Sequence, residues 1–403
     1  LTLTVLGGLL VELYGRDPSN YPKVDPIAHD DETRLAHLLD KIAQHHTDRL
    51  GLLRVVSCCR VPAPTEMLAQ MLDEKEVDVR VKLAALHKWH LLTFAPDAGT
   101  ADVHALIRKY FLGKLKDGVA CHVQVQIARW FGEQPLPEYP QTLDDVAPLR
   151  IAVEHAIEAG DPDLATDYLH GTRVGHFNTL SGWLDGFGYL AVDAELYGHV
   201  IRQYERLIAE EGRRELRNDL ASAYNNRGNA LADQGKLADA VADFDRAIEI
   251  YDTLVEQEGR RELRNDLARA YNNRGNALGH QGKLAEAVAD YDRAIEIRET
   301  LVEKEGRREL RNDLASAHNN RGGALYLQGK LADAVADYDR AIELYETLVE
   351  KEGRRELQND MAGAYNNRGG ALEAQGKLAD AVADYERAIE LYETLVEKEG
   401  RRE

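Results

Sequence analysis

The sequence predicts a mainly α-helical protein in which a small mixed domain and a helical connector precede a solenoid of helical hairpins. The string Gly-Arg-Arg-Glu recurs with a constant spacing of 47 residues, at Gly212, Gly259, Gly306, Gly353 and Gly400. Within each copy, apolar residues recur at the three- and four-residue steps of amphipathic helices. Ahead of the copies, shorter apolar runs are separated by polar turns, as in a compact mixed domain.

Composition excludes several function classes. The 403 residues carry 50 Lys and Arg against 70 Asp and Glu, a net charge of −20, and no half of the chain is basic. Binding of a nucleic-acid backbone by bulk charge is therefore disfavoured. No apolar stretch reaches the length of a membrane span, so we expect no membrane insertion and a cytoplasmic protein. The three cysteines form no metal-ligand or disulfide pattern, and we interpret Cys58, Cys59 and Cys121 as buried apolar residues.

Residues 50–116 are predicted to form a winged-helix domain. The expected order is an apolar run, two helices, a short strand and a last helix, at Leu50–Cys59, Pro64–Leu72, Val79–His90, Leu91–Phe94 and Val103–Leu115. Winged helices often bind DNA, and the candidate recognition helix contains Arg80, Lys82 and His87. An acidic run ends in this helix and makes the segment nearly neutral, so DNA contact is the minor alternative.

Residues 117–211 are less regular and are interpreted as a helical connector with degenerate hairpins. Amphipathic segments occur at Val119–Gly132, Asp144–Ala159, Asp163–His170 and Leu190–Glu210, and a proline-rich break lies at Pro135–Pro140. We expect this connector to cap the repeats.

Residues 212–403 are predicted to form four 47-residue hairpins and the start of a fifth. Arg213–Gly259 and Arg307–Gly353 are identical at 39 of 47 positions. Two helical patterns in each copy are separated by a turn that contains Gly235 or its equivalent. A single hairpin leaves an apolar stripe exposed, so the copies must stack into a right-handed solenoid with a concave face.

The copies resemble tetratricopeptide repeats. The resemblance rests on Tyr224, Gly228, Leu231, Ala240, Phe244 and Ala247, and the series begins again at Tyr271, His318 and Tyr365. Two features depart from that family. The unit is longer than the usual length of about 34 residues, which implies extended helices. Arginine replaces the usual leucine at Arg227, Arg274, Arg321 and Arg368, where it either extends to solvent or pairs with acidic neighbours.

The order of segments resembles the carboxy-terminal half of STAND signal-transduction NTPases of the NB-ARC and NACHT-like type. The matching parts are LTLTVLGGLLVELYG within the helical remnant 1–49, a linker helix at Glu32–His46, the winged helix with DVHALIRKYF, the connector and the repeats. In that family a winged-helix histidine contacts the β-phosphate of bound ADP. The resemblance implies this role for His104, although Ala105 replaces the family's acidic residue.

The sequence contains no GxxxxGK[ST] loop, so we expect no cofactor in this chain. From both ends of the sequence we expect a fragment of a longer protein. The resemblance implies that ADP or ATP binds another domain of that parent protein, and that the parent could also oligomerise. No catalytic motif is recognisable, and we expect a non-enzymatic protein.

Adjacent asparagines on the first helix of each hairpin are the candidate peptide-binding residues. The pairs are Asn225 and Asn226, Asn272 and Asn273, Asn319 and Asn320, and Asn366 and Asn367. Their amides can donate to and accept from an extended peptide backbone. The second member of each pair resembles the asparagine ladder in the repeats of O-linked N-acetylglucosamine transferase, which implies a groove for a protein or peptide. The alternative is that these amides bond between hairpins.

Two functions follow. The favoured one is the sensor and protein-interaction segment of a STAND switch, in which the winged helix couples the repeats to a nucleotide-binding domain outside this chain. The rival is a free-standing repeat scaffold or adaptor, or a winged-helix regulator with weak nucleic-acid contact.

Overall fold

The structure is a computed structural model that describes residues 39–40, 47–89, 91–115 and 117–399. The chain divides into two compact units between Phe187 and Gly188. Most of the predicted helical remnant 1–49, including all of Glu32–His46 except residues 39–40, lies outside the described residues. So do His90 and the start of the fifth repeat at Gly400.

The first unit begins with helices around a small antiparallel sheet. Its elements are α1 (Thr47–Cys58), β1 (Ala63–Pro64), α2 (Thr65–Leu72), α3 (Glu76–Lys88), β2 (Thr93–Ala95), β3 (Thr100–Asp102) and α4 (Ala105–Lys114). β3 lies between β1 and β2, and Ala101 is paired with both Ala63 and Phe94. These three residues are buried in the same apolar core as Leu83 and Ile107 of the helices. The sheet is therefore one wall of this core.

Four further helices complete the first unit. They are α5 (Asp117–Gly132), α6 (Ala147–Glu158), α7 (Pro162–His170) and α8 (Leu180–Gly186). Sequence reasoning missed α8, although Thr179 caps it by accepting a hydrogen bond from Gly182 N at 2.8 Å. Trp183 on α8 is fully buried and donates from Nε1 to Pro140 O at 3.1 Å. The threonine cap and the buried tryptophan thus fix a helix in a region whose apolar residues show only weak helical periodicity.

The cysteine prediction is correct for two residues and wrong for the third. Cys58 and Cys59 are buried at the end of α1, whereas Cys121 is exposed on α5. Burial is the main cause that raises the pKa of the Cys58 thiol to about 11. The error arises because α5 is amphipathic, and residue type alone does not show which face of it Cys121 occupies.

The second unit begins with α9 (Leu190–Glu210) and continues as an α-solenoid of four hairpins. First helices alternate with second helices, as α10 (Arg217–Asp233) and α11 (Leu237–Asp252), α12 (Arg264–His280) and α13 (Leu284–Glu299), α14 (Arg311–Leu327) and α15 (Leu331–Glu346), and α16 (Gln358–Ala374) and α17 (Leu378–Glu399). We number the repeats 1 to 4, starting at residues 213, 260, 307 and 354. The predicted fold of stacked hairpins is confirmed.

Two turns set the 47-residue period. Inside repeat 1, Gly235 adopts a φ of 75° between α10 and α11, a conformation that glycine reaches without steric cost. After α11, a π-helical turn at Thr253–Gln257 and a 3-10 turn at Arg261–Leu263 lead to the next first helix. The same two turns follow α13 and α15. These additional turns form part of what makes the unit longer than the family norm.

A glycine brings the two helices of each repeat into close contact. A Cβ placed on Gly228 would lie 2.6 Å from Phe244 Cε1, and one on Gly322 would lie 2.8 Å from Tyr338 Cε1. The aromatic ring therefore packs directly on the backbone of the first helix. This contact explains the small residue and the aromatic residue that the repeat pattern places 16 positions apart.

Candidate protein-binding site

The arginines that replace leucine on the first helices form ion pairs inside each hairpin. Arg227 Nε and Nη2 donate to the two carboxylate oxygens of Asp243, both at 2.6 Å. Asp243 is buried, and the paired planar groups satisfy both of its oxygens. The equivalent pairs are Arg274 with Asp290, Arg321 with Asp337, and Arg368 with Asp384. The predicted alternative of pairing with acidic neighbours is therefore confirmed.

The same guanidinium groups also join consecutive repeats. Arg274 Nη1 donates to Asp245 Oδ1, on the second helix of the preceding repeat, at 2.6 Å. Arg321 with Asp292 and Arg368 with Asp339 repeat this contact at the same distance. The hydrogen bonds to Asp290 are the main cause that raises the pKa of Arg274, so its charge is permanent. One arginine thus links two helices of its own repeat and one of the repeat before.

An aromatic residue three positions earlier completes this network. Tyr271 lies with its ring 5.5 Å from the Arg274 guanidinium carbon, and its hydroxyl donates to Asp252 of the preceding repeat at 3.2 Å. In repeat 3 this residue is His318, whose Nδ1 lies 3.0 Å from Asp337 Oδ1. Burial would raise the pKa of Asp337, but the hydrogen bonds from Arg321 and His318 outweigh burial and hold it below its usual value.

The asparagines form a row of amides that crosses the repeats. Asn273 Nδ2 donates to Asn225 Oδ1 at 3.2 Å, and Asn320 Nδ2 donates to Asn272 Oδ1 at 3.4 Å. Asn367 Nδ2 donates to Asn319 Oδ1 at 3.1 Å. We call these residues, together with Asn226 and Asn366, the asparagine row. The second asparagine of one repeat therefore bonds to the first asparagine of the repeat before.

These bonds leave hydrogen-bonding capacity in the row. An amide has two N–H donors and one oxygen with two lone pairs, and each bond between repeats uses one donor and one lone pair. Burial of the row also decreases along the array. Asn225 is buried, Asn272 and Asn320 are half-buried, and Asn366 and Asn367 are exposed. The row can bridge repeats and still contact a ligand.

The predicted site residues of the first unit have mainly local contacts. His104 is exposed and directly precedes α4, where its carbonyl accepts hydrogen bonds from Ile107 N and Arg108 N at 2.9 and 3.0 Å. On α3, Arg80 pairs with Glu76 at 2.8 Å and Lys82 with Glu74 at 2.6 Å. Acidic neighbours thus pair with Arg80 and Lys82 of the candidate recognition helix.

Among residues 39–40, 47–89, 91–115 and 117–399, no group of three or more His, Cys, Asp or Glu side chains is arranged to hold a metal ion. Within the same part of the chain, each helix is too short or too polar to cross a lipid bilayer.

Family models match the array. Residues 221–254 and 268–301 match one tetratricopeptide repeat model, and residues 313–394 match a second. The array therefore consists of tetratricopeptide repeats, as the sequence predicted. Such repeats are generally non-enzymatic scaffolds that bind proteins or peptides. No curated protein matches the chain significantly.

Several solved structures are similar to parts of the chain. BtubC from P. vanneervenii is 18% identical, with 68% of this chain and 89% of that chain covered and a TM-score of 0.43. A putative kinesin light chain with nearly identical repeats from Podosopora anserina is 14% identical, with 54% of this chain and 93% of that chain covered and a TM-score of 0.42. A STAND protein with a tetratricopeptide repeat sensor from Pyrococcus horikoshii is 14% identical, with 99% and 56% covered and a TM-score of 0.39.

Sequence reasoning missed the aspartates that complete the arginine network. Asp243 and Asp245 recur in the second helices of repeats 1 to 3, and both lie on the helix that faces an arginine. The available signal was an arginine and an aspartate 16 residues apart in every repeat. That separation places them on the two helices of one hairpin, whereas the contact of Arg274 with Asp245 depends on how hairpins stack.

Proposed function

We propose that the repeat array binds an extended segment of a protein partner along the asparagine row. The observation that carries this proposal is the row of amides, which crosses every repeat and is joined from repeat to repeat by hydrogen bonds. Amide donors and acceptors at a regular spacing suit a peptide backbone, whose own donors and acceptors are regularly spaced. Residues that vary between repeats beside the row, such as Asn229 and Gly323, then tune side-chain preference.

In this proposal, residues 50–116 of the first unit are the winged helix that couples the array to a nucleotide-binding domain of a longer cytoplasmic parent. Support comes from the order α1, β1, α2, α3, β2, β3, α4, with the β2 and β3 hairpin forming the wing. His104, exposed at the start of α4, is the proposed contact to ADP. ADP or ATP binds only when that domain is present, and the chain acts as a non-enzymatic sensor.

A peptide array tests the binding proposal. Random decapeptides on a membrane are probed with the full chain and with the double variant Asn273→Ala and Asn320→Ala. We expect peptides that bind the full chain to lose about 1–3 kcal/mol of affinity with the variant, because each amide contributes hydrogen bonds to the backbone. The helical circular dichroism of the variant should stay unchanged.

Asn265→Ala with Asn312→Ala is the matched control. Both residues lie two turns earlier on the same helices, α12 and α14, and each Oδ1 is buried without a hydrogen-bond partner among the described residues. The control should bind peptides normally. If the row variant also binds normally and only melts earlier, the row is structural and the proposal is wrong.

Nucleotide binding tests the role of the first unit. Calorimetry of the chain with Mg-ATP should show no binding, because the chain lacks a phosphate loop. In a longer protein that contains a nucleotide domain, His104→Ala should speed the release of ADP. Unchanged release would show that His104 does not contact ADP. Micromolar Mg-ATP affinity of this chain alone would contradict the proposal that nucleotide binds only in another domain.

A further inference from the structure

Three of the four arginines that pair with a buried aspartate also bind a carboxylate on the second helix of the preceding repeat. Asp245, Asp292 and Asp339 supply it to Arg274, Arg321 and Arg368, each at 2.6 Å. These contacts define where a carboxylate lies when the network is complete. They provide an internal reference for Arg227, the first arginine of the array.

Helix α9 occupies the position of a preceding second helix for repeat 1. Tyr224 donates to Glu205 of α9 at 2.5 Å, as Tyr271 donates to Asp252 of α11. Gln234 Nε2 donates to Leu190 O at 2.8 Å, as Gln375 Nε2 donates to Leu331 O at 2.9 Å. The 47-residue register therefore extends into α9, and it places Gly198 at the position of Asp245.

The carboxylate is consequently missing at Arg227. Among the described residues, no carboxylate replaces the one that Asp245 provides in the next repeat. A Cβ on Gly198 would lie 3.5 Å from Arg227 Nη1 and 3.7 Å from Arg202 Nη1. Arg202 stands at the position of Glu249, so the charge of that position is reversed. Two guanidinium groups thus converge on the place of one absent side chain.

This place opens into a cleft of about 640 Å³ lined by α9, α10 and α11. Besides the two arginines, its charged lining residues are Glu195, His199, Lys236, Asp239 and Asp243. Asp243 is bound by Arg227 Nε and Nη2, and His199 Nε2 lies 3.9 Å from Glu195. The three cations and three carboxylates of the lining balance, but the side chains within 4 Å of a Cβ on Gly198 are both guanidiniums, so positive charge is concentrated at that place.

We propose that this cleft binds an acidic side chain of a polypeptide partner, whose carboxylate occupies the position that Asp245 fills in the next repeat. We call it the Arg202–Arg227 cleft. The inference rests on the proposed peptide-binding function and assigns the charge of one partner residue. Arginine binds carboxylates through paired N–H groups, so two guanidiniums favour a carboxylate over an amide of the same shape.

Fluorescence anisotropy with the full chain tests the cleft. The probe is a fluorescein-labelled tetraglutamate peptide with an amidated C terminus, and tetraglutamine is the neutral comparison. We expect the chain to bind tetraglutamate but not tetraglutamine. Gly198→Asp supplies the missing carboxylate from within the chain, so it should weaken tetraglutamate binding about tenfold or more and raise the melting temperature of the array.

Two further variants separate charge from shape. Gly198→Ala adds only a Cβ at ordinary contact distances and should bind as the natural chain does. Arg202→Glu restores the residue type of the other repeats on an exposed position and should abolish binding. If tetraglutamate binds Gly198→Asp and Arg202→Glu as well as it binds the natural chain, the cleft is not its site and the proposal is overturned.

Competition identifies the ligand chemistry. Inorganic phosphate that displaces the probe as readily as free tetraglutamate does would overturn the assignment to a carboxylate. Tetraglycine with a free C terminus should compete poorly if an acidic side chain is the ligand, and strong competition would contradict that assignment. Failure of tetraglutamate to bind would overturn the cleft proposal even where peptides still depend on the asparagine row, so the two proposals fail separately.

Discussion

The repeat array and the first unit satisfy their buried polar groups in opposite ways. In the array, each buried aspartate is bound by an arginine 16 residues earlier, and the contact is copied in every repeat. In the first unit, His155 is fully buried on α6 and bonds through Nδ1 to Gln124, whose Nε2 donates to Cys58 O, 66 residues away, at 3.1 Å. The array uses contacts that are copied within and between neighbouring repeats, whereas His155 of the first unit depends on a contact that occurs once and reaches a distant segment.

The two kinds of contact should differ in how much of a unit loses stability when one contact is removed. A copied contact belongs to one repeat and its neighbours, so its loss should act locally. A contact that occurs once and joins segments distant in sequence has no copy elsewhere, so its loss should act on more of the unit. The four predictions below test this contrast, from the largest expected effect to the smallest.

Deletion of half a repeat should be the most damaging change. Removing residues 284–306 places two first helices next to each other and exposes an unmatched apolar face, so we expect loss of most of the helical signal of the array. Removing the whole repeat, residues 260–306, brings Asp245 opposite Arg321 in the register that Asp292 occupied. Circular dichroism with urea should show a folded array that is less stable by about one repeat and its interface. An unfolded chain in the second case would contradict the solenoid.

Loss of a buried aspartate should destabilise the array strongly. Asp290→Ala leaves the Arg274 guanidinium without its main partner and should cost about 3 kcal/mol. Asp245→Ala is the matched control, because it removes a carboxylate from the same arginine at an exposed position and should cost less than about 1 kcal/mol. Urea unfolding measures both. Equal effects would show that burial does not distinguish the two contacts.

The first unit should lose stability in mild acid. Burial, with smaller contributions from Arg60 and Arg108, lowers the pKa of His155 from 6.5 to about 4. Between these values the unfolded chain binds a proton that the folded chain does not, so stability falls as pH decreases from about 6.5 to 4. The loss should reach about 3 kcal/mol.

Tryptophan fluorescence follows this transition specifically, because Trp89, Trp130 and Trp183 all lie in the first unit. His155→Leu should flatten the pH dependence, and His122→Ala, at an exposed position, should leave it unchanged. A steep dependence that persists in His155→Leu would assign the proton to another group.

Adjacent glycines in repeat 3 should respond in opposite directions. Gly322→Ala places a Cβ 2.8 Å from the Tyr338 ring and should destabilise by about 1–3 kcal/mol. Gly323→Ala places a Cβ 3.8 Å from the Tyr338 hydroxyl, an ordinary contact, and should stabilise by about 0.5–1 kcal/mol through helix propensity. Thermal melts of both variants decide this, and a stabilised Gly322→Ala would show that the helices can separate without cost.

The sequence by itself determined the hairpins, their period and the apolar positions of the array. These features depend on steps of three and four residues within one helix, which the printed order of residues contains. It also placed most helices of the first unit, and it missed α8, where a threonine cap and a tryptophan outweigh a weak periodicity.

Tertiary structure alone decided which polar atoms meet. The bond from Asn273 to Asn225, the contact of Arg274 with Asp245 and the exposure of Cys121 each depend on which face of a helix lies against which neighbour. Helical periodicity shows which face of a helix is apolar, but it does not show which neighbouring helix packs against that face. Stacking of one hairpin on the next brings together atoms 29 and 48 residues apart. For the same reason, the empty carboxylate position at Gly198 becomes visible only when α9 is seen to pack as a second helix.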